Sequence, residues 1–165
     1  MVTDRAAFTS HIAAPQPITV RCRAPDVLRS VAVRTYDQHM GKHIIATDRA
    51  PSSPLYSQGV KAGPQVFVSG TAGIDPSTGR LVEPTIQVQT RQALTNCEAI
   101  LQAGGATLDD VIEVGVLLAN PADFAGLNEE YARWFPSEPP TRYVAKLGAD
   151  LPGLLVSIRM TAFIG

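Results

Sequence analysis

The sequence predicts an α+β domain: one β-sheet with two helices packed on a single face. Three observations lead there. From Ile44 onward, short apolar segments alternate with stretches of helical periodicity, and turn residues mark the joints. Two stretches hold the helical spacing, residues 85 to 103 and the segment opened by Asn120-Pro121. The last segment alternates cleanly, with Val156, Ile158, Met160 and Ala162 on one side and Ser157, Arg159 and Thr161 on the other. Such a strand buries its apolar side beneath helices and turns the polar side to water or to another subunit.

Taken in order, Gln65 to Ala72 reads as a strand, and Asp75-Pro76-Ser77-Thr78-Gly79 as a hairpin-type turn into Arg80-Leu81-Val82. Gly70 and Gly73 mark close approaches of backbone. Gly70 either presents its amide to a ligand oxygen or marks a bulge. In the first helix Ala93, Cys97, Ile100 and Leu101 recur at helical spacing, and Gly104-Gly105 stops it. Asp109-Asp110 resembles a catalytic carboxylate pair, but Thr107 three residues before Asp110 makes helix-start capping the simpler account. Val111 to Ala119 is a strand apolar on both sides, as expected at a sheet centre or a subunit interface. Asn120 then caps the second helix with Pro121 at its first position. Phe124, Leu127, Tyr131 and Phe135 form its buried face, Asn128 lies at the edge of that stripe, and Glu129-Glu130 form a solvated face.

The chain has 165 residues, is 45% hydrophobic and carries a net charge of −1, which fits one domain of adequate core size. Charge is unevenly spread, because Met1 to His43 holds five Arg and one Lys against three Asp, leaving eight basic and twelve acidic residues beyond. Residues 1–42, with scattered Pro15, Pro17 and Pro25, read as a disordered leader before a single domain at 43–165. Met40 offers an alternative translation start. An Arg-rich leader also fits a targeting peptide, although its three Asp and few Ser weaken that reading. The mildly acidic domain lacks the basic stripe of a nucleic-acid partner, and no apolar run nears the roughly 20 residues that span a bilayer.

Cys22 and Cys97 are the two cysteines, and they form no disulfide framework, so a reducing cytoplasmic setting is expected. Cys97 belongs to the core of the first helix. No His follows His43, so beyond that first position the domain has no imidazole for a Ser-His or Cys-His dyad or for zinc. The expected chemistry needs no metal and no cofactor.

Arg142, in Pro139-Pro140-Thr141-Arg142-Tyr143-Val144-Ala145, opens an apolar strand-like segment. A guanidinium there is either a bidentate carboxylate anchor or one half of a structural ion pair. Its context includes Ser53-Pro54-Leu55-Tyr56-Ser57-Gln58-Gly59, Val68 to Gly79, and Asp123-Phe124-Ala125-Gly126-Leu127-Asn128-Glu129-Glu130-Tyr131. In this order and spacing the four segments resemble the RidA/YjgF family of reactive-intermediate deaminases, from about Ile44 to the C-terminus. The resemblance implies a chorismate-mutase-like fold with a mixed sheet, a homotrimer, and ligand clefts between subunits. It further implies that Arg142 holds the carboxylate of a 2-imino acid, which is hydrolysed to a 2-keto acid and ammonia. Tyr56, Ser69, Gly70 and Asn128 would line the same cleft.

The sequence departs from that family on the last strand, where a Glu usually positions the attacking water. Ser157 and Arg159 stand where the family pattern has acidic residues. Serine can orient a water but is a far weaker base, and a positioned base contributes about a hundredfold to ten-thousandfold. Arg159 either recruits a second anionic group, pairs with a neighbouring subunit's carboxylate, or is a solvated side chain. Two other readings follow: a trimer that binds a small carboxylate or a partner without turnover, and a specialised biosynthetic relative with a reshaped pocket.

Overall fold

The computed structural model describes residues 41–165, so the reading of residues 1–42 as a leader falls outside it except at Gly41 and Lys42. Lys42 already belongs to the first strand. The strands are β1 (Lys42–Ile45), β2 (Gly59–Ala62), β3 (Gln65–Ala72), β4 (Ile74–Asp75), β5 (Arg80–Leu81), β6 (Val111–Leu118), β7 (Thr141–Lys146) and β8 (Val156–Phe163). The helices are α1 (Ile86–Ala103) and α2 (Phe124–Trp134). Six strands make one sheet in the order β1-β2-β3-β8-β6-β7, and β4-β5 is a separate two-stranded ribbon. All neighbours in the sheet run antiparallel except β6 and β7, which are parallel and joined through α2. The sheet is therefore mixed, with both helices against one face, as the sequence predicts.

Alternation on β8 sets that face. Val156, Ile158, Met160 and Ala162 are fully buried with Val66 and Val68 of β3 and Val114, Val116 and Leu118 of β6. Above them α1 lays Ala93, Leu94, Cys97, Ile100 and Leu101, each at most 1% exposed. Each large aliphatic side chain buried this way contributes about 1.5–3 kcal/mol. The α1 boundaries follow local chemistry: the Thr85 hydroxyl accepts the Val88 amide, and Gly105, at φ +82°, turns the chain out after Gly104. Gly73, in the bend between β3 and β4, is a close approach to this helix. A Cβ there would stand 2.7 Å from the Gln89 carbonyl oxygen.

The second helix departs from expectation in two ways. A 3₁₀ turn at Pro121–Asp123 precedes it, with the Asn120 side chain accepting from the Ala122 amide, and Phe124 is left 46% exposed. Glu130 is not solvated but buried, at 2% exposure. Arg91 of α1 donates Nε and Nη2 to its two carboxylate oxygens at 2.8 Å each, and Trp134 Nε1 donates at 3.3 Å. The charge is thus moved from solvent into a bidentate clamp between helices, and Glu129 remains outside. The Arg91 hydrogen bonds outweigh burial and hold the Glu130 carboxyl below its ordinary range.

Thr107 and Asp110 form the expected cap, the Thr107 amide and hydroxyl both donating to Asp110 Oδ2. They close a single 3₁₀ turn rather than a longer helix. No helix among the described residues is long and apolar enough to cross a membrane.

Candidate active site

A cleft of about 390 Å³ opens beside the ends of β3 and β8. Tyr56, Ser69, Gly70, Thr71 and Ser157 supply its polar lining, and Ile74, Leu81, Leu151, Pro152 and Leu154 an apolar wall. Its shape comes from a bulge. Val68 pairs with Met160 and Thr71 with Ile158, so Ser69 and Gly70 together face the single residue Arg159. The extra residue pushes β3 out of register there. A Cβ on Gly70 would lie 3.2 Å from Ser157 Oγ, so the absence of a side chain leaves that hydroxyl open. The bulge reading of Gly70 thereby holds, and the bulge lines a cleft.

Several polar groups hold this rim. Ser69 Oγ donates to the Ser57 carbonyl at 2.6 Å, Ser69 N to the Gln58 carbonyl at 2.9 Å, and Thr71 Oγ1 to the Ser69 carbonyl at 2.8 Å. Gln58, 5% exposed, donates to the carbonyls of Thr47, Ala50 and Pro51 and accepts the Thr47 amide. It ties down the loop that carries Tyr56. Asn96, fully buried on α1, donates to the carbonyls of Ala72 and Ile74 and fixes the strand end. Sequence reasoning missed both amides. Their one signal was a polar side chain inside an apolar or Pro-rich context, which says nothing about the carbonyls waiting for it.

A second cleft, about 380 Å³, lies between α2 and β7 and is lined by Asn128, Tyr131, Phe135, Pro139, Pro140 and Arg142. Arg142 is exposed, and its guanidinium carbon lies 4.5 Å from the centre of the Tyr131 ring and 5.9 Å from that of Phe124. Stacking on two rings orients the planar fork without using its donors. Among the described residues no carboxylate lies within ion-pair distance of it. Burial raises the Tyr131 phenol above its ordinary pKa, opposed by the Arg142 charge, so the ring stays neutral. Its Oη is buried without a hydrogen-bond partner.

The chain therefore brings Tyr56, Ser69, Gly70 and Ser157 together, and separately brings Asn128 to Arg142. The two groups do not meet within one copy, since β8 and β6 lie between β3 and β7. Arg159 is exposed on the sheet face away from the helices, and its Nη2 donates to Thr161 Oγ1 at 3.4 Å. Cys97 is fully buried, and burial pushes its thiol up to about 12, which removes it as a nucleophile. Among the described residues no three His, Cys, Asp or Glu side chains converge as a metal site would require.

Chemically, the first cleft offers hydroxyls but no lining carboxylate, and the second offers a free guanidinium. Comparison with known proteins gives a consistent picture. The family model for endoribonuclease L-PSP matches residues 47–164. A RutC family protein of Pyrococcus horikoshii is 42% identical over 124 residues, which cover 74% of this chain and 98% of that one. A 2-iminobutanoate/2-iminopropanoate deaminase of Capra hircus is 36% identical over 125 residues, covering 75% and 91%. The crystal structure of RidA from an Antarctic Psychrobacter is similar at a TM-score of 0.69 and 39% identity, covering 74% of this chain and 99% of that one.

Proposed function

The chain belongs to the RidA/YjgF family, and from that premise we propose that it hydrolyses 2-imino acids to 2-keto acids and ammonia. Arg142 is the observation that carries the reading. It is exposed, oriented by Tyr131, next to Asn128, and without a carboxylate partner among the described residues. A planar anion fits those donors, and the substrate carboxylate is one.

The reaction adds water to the imine carbon. The oxygen forms a bond to carbon, the C=N π electrons take up a proton, and the resulting carbinolamine expels ammonia as the ketone forms. In this reading two or more copies assemble so that Arg142 of one closes the hydroxyl-lined cleft of another, which joins the two half-sites that a single copy keeps apart. A homotrimer with three such clefts satisfies that requirement. Tyr56, Ser69 and Ser157 then place the water, and the Gly70 bulge leaves room for it.

A second reading, a trimer that binds a small carboxylate without turnover, is favoured by one feature: no Asp or Glu lines either cleft. Ammonia release from 2-iminobutanoate, generated in place by an amino-acid oxidase, separates the two. Turnover by the wild type that falls by at least about a hundredfold in Arg142→Ala supports the deaminase. Silence in the wild type with a gain in Ser157→Glu or Arg159→Glu supports the binding reading, and equal rates in wild type and Arg142→Ala overturn the role of Arg142.

A further inference from the structure

We propose that Arg159 supplies a second anion contact to the hydroxyl-lined cleft, so that the preferred ligands are 2-imino and 2-keto dicarboxylates. This deepens the reading of Arg142 as the first carboxylate anchor and rests on it.

Register places Arg159 beside the cleft, next to residues that line it though not itself in the lining. It stands opposite the two-residue bulge of Ser69 and Gly70, both of which line the cleft, and two residues beyond Ser157, which lines it too. On a strand, residues two apart lie on one face about 6.6 Å from each other. On its other side its partner is Gly115, over which the phenol of Tyr143 packs in close contact. Arg159 is therefore bordered in the sheet by the Ser69–Gly70 bulge on one side and, on the other, by Gly115 with Tyr143 over it.

Nothing among the described residues neutralises it. Its one hydrogen bond is to the Thr161 hydroxyl at 3.4 Å. Glu113, the carboxylate nearest in register on the same face, pairs with Thr161 and lies beyond ion-pair distance of Arg159. The surrounding face carries Phe67, Tyr143 and Phe163, each exposed. A fork with free donors in apolar surroundings selects a planar anion over water. A ligand whose reacting carbon lies at Ser157 and whose side chain adds two carbons and a carboxylate spans the interval to Arg159. A side chain ending in a methyl group leaves it empty.

Calorimetric titration of the full-length protein with 2-oxoglutarate and 2-oxopentanoate tests this, since the two share a carbon count and differ in the distal carboxylate. The wild type binds 2-oxoglutarate about tenfold to hundredfold more tightly, the range of a charge-assisted hydrogen bond. Arg159→Met removes that preference by weakening 2-oxoglutarate alone, and Arg159→Lys, which keeps the charge without the fork, retains part of it. Equal binding of both ligands by the wild type, or an undiminished preference in Arg159→Met, overturns the proposal while leaving Arg142 in place. Arg142→Ala weakens both ligands together. If it weakens neither, or if the wild type binds neither ligand, the anchor reading falls and this proposal falls with it.

Discussion

Along β8 the two faces of the sheet alternate residue by residue. Toward the helices, Val156, Ile158, Met160 and Ala162 are fully buried; on the other side, Arg159 is exposed and Phe163 is 46% exposed. One face is filled by α1 and α2, and the other keeps its polar groups and rings available. The difference teaches that stability and recognition are drawn from the same strand by a period of two. A residue on one face can change without disturbing the other.

Mutations sharpen that contrast, beginning with the largest effect. Ile158→Ala removes buried volume beneath α1 and costs about 2–5 kcal/mol, read from urea unfolding midpoints. Ser157→Ala, its neighbour on the opposite face, changes stability by less than about 0.5 kcal/mol in the same measurement. A comparable loss in both would break the comparison. Gly73→Ala drives a Cβ against the Gln89 backbone and costs about 1–3 kcal/mol, although it deletes no contact. An unchanged midpoint there would show that α1 can slide away from the sheet.

Glu130→Gln tests the clamp between the helices and brings a pH dependence with it. The folded-state pKa of Glu130 lies below its ordinary 4.5, so its contribution is present above that value and lost as pH falls through the folded pKa. The gap between wild type and Glu130→Gln is accordingly wide at pH 7 and narrows toward pH 3. A gap that stays constant with pH would mean that packing, not charge, holds α2. The smallest effect concerns Cys97. In the native protein it resists iodoacetamide at pH 8, read by mapping its own peptide, and reacts once urea exposes it.

Much of this architecture was legible in the residues. The end of α1 follows from Gly104-Gly105, and the inner face of β8 from its alternation, because capping and period-two burial are local properties. Gly73 was recognisable as a close approach, though its partner Gln89 was not. Phe124 and Glu130 went the other way. A helical stripe specifies which residues share a side, but not how far a neighbouring element covers them, and Phe124 stays 46% exposed. Glu130 depends on Arg91, which is far upstream on another helix, and no spacing rule reports that meeting. The clefts divide in the same way. The segments that carry Tyr56, Ser69, Asn128 and Arg142 stand out in the sequence, whereas their separation into two groups follows from strand order, which puts β8 and β6 between them.

That strand order also governs the moment at which the protein becomes itself during synthesis. The sheet's centre is completed by β8, made after both of its neighbours, which inserts between β3, ending at Ala72, and β6, ending at Leu118. Until Val156–Phe163 emerges, β3 and β6 have no bridge and α1 has half a floor to rest on. The core thus closes through pairings between segments far apart in the sequence, which form more slowly than local hairpins and helices.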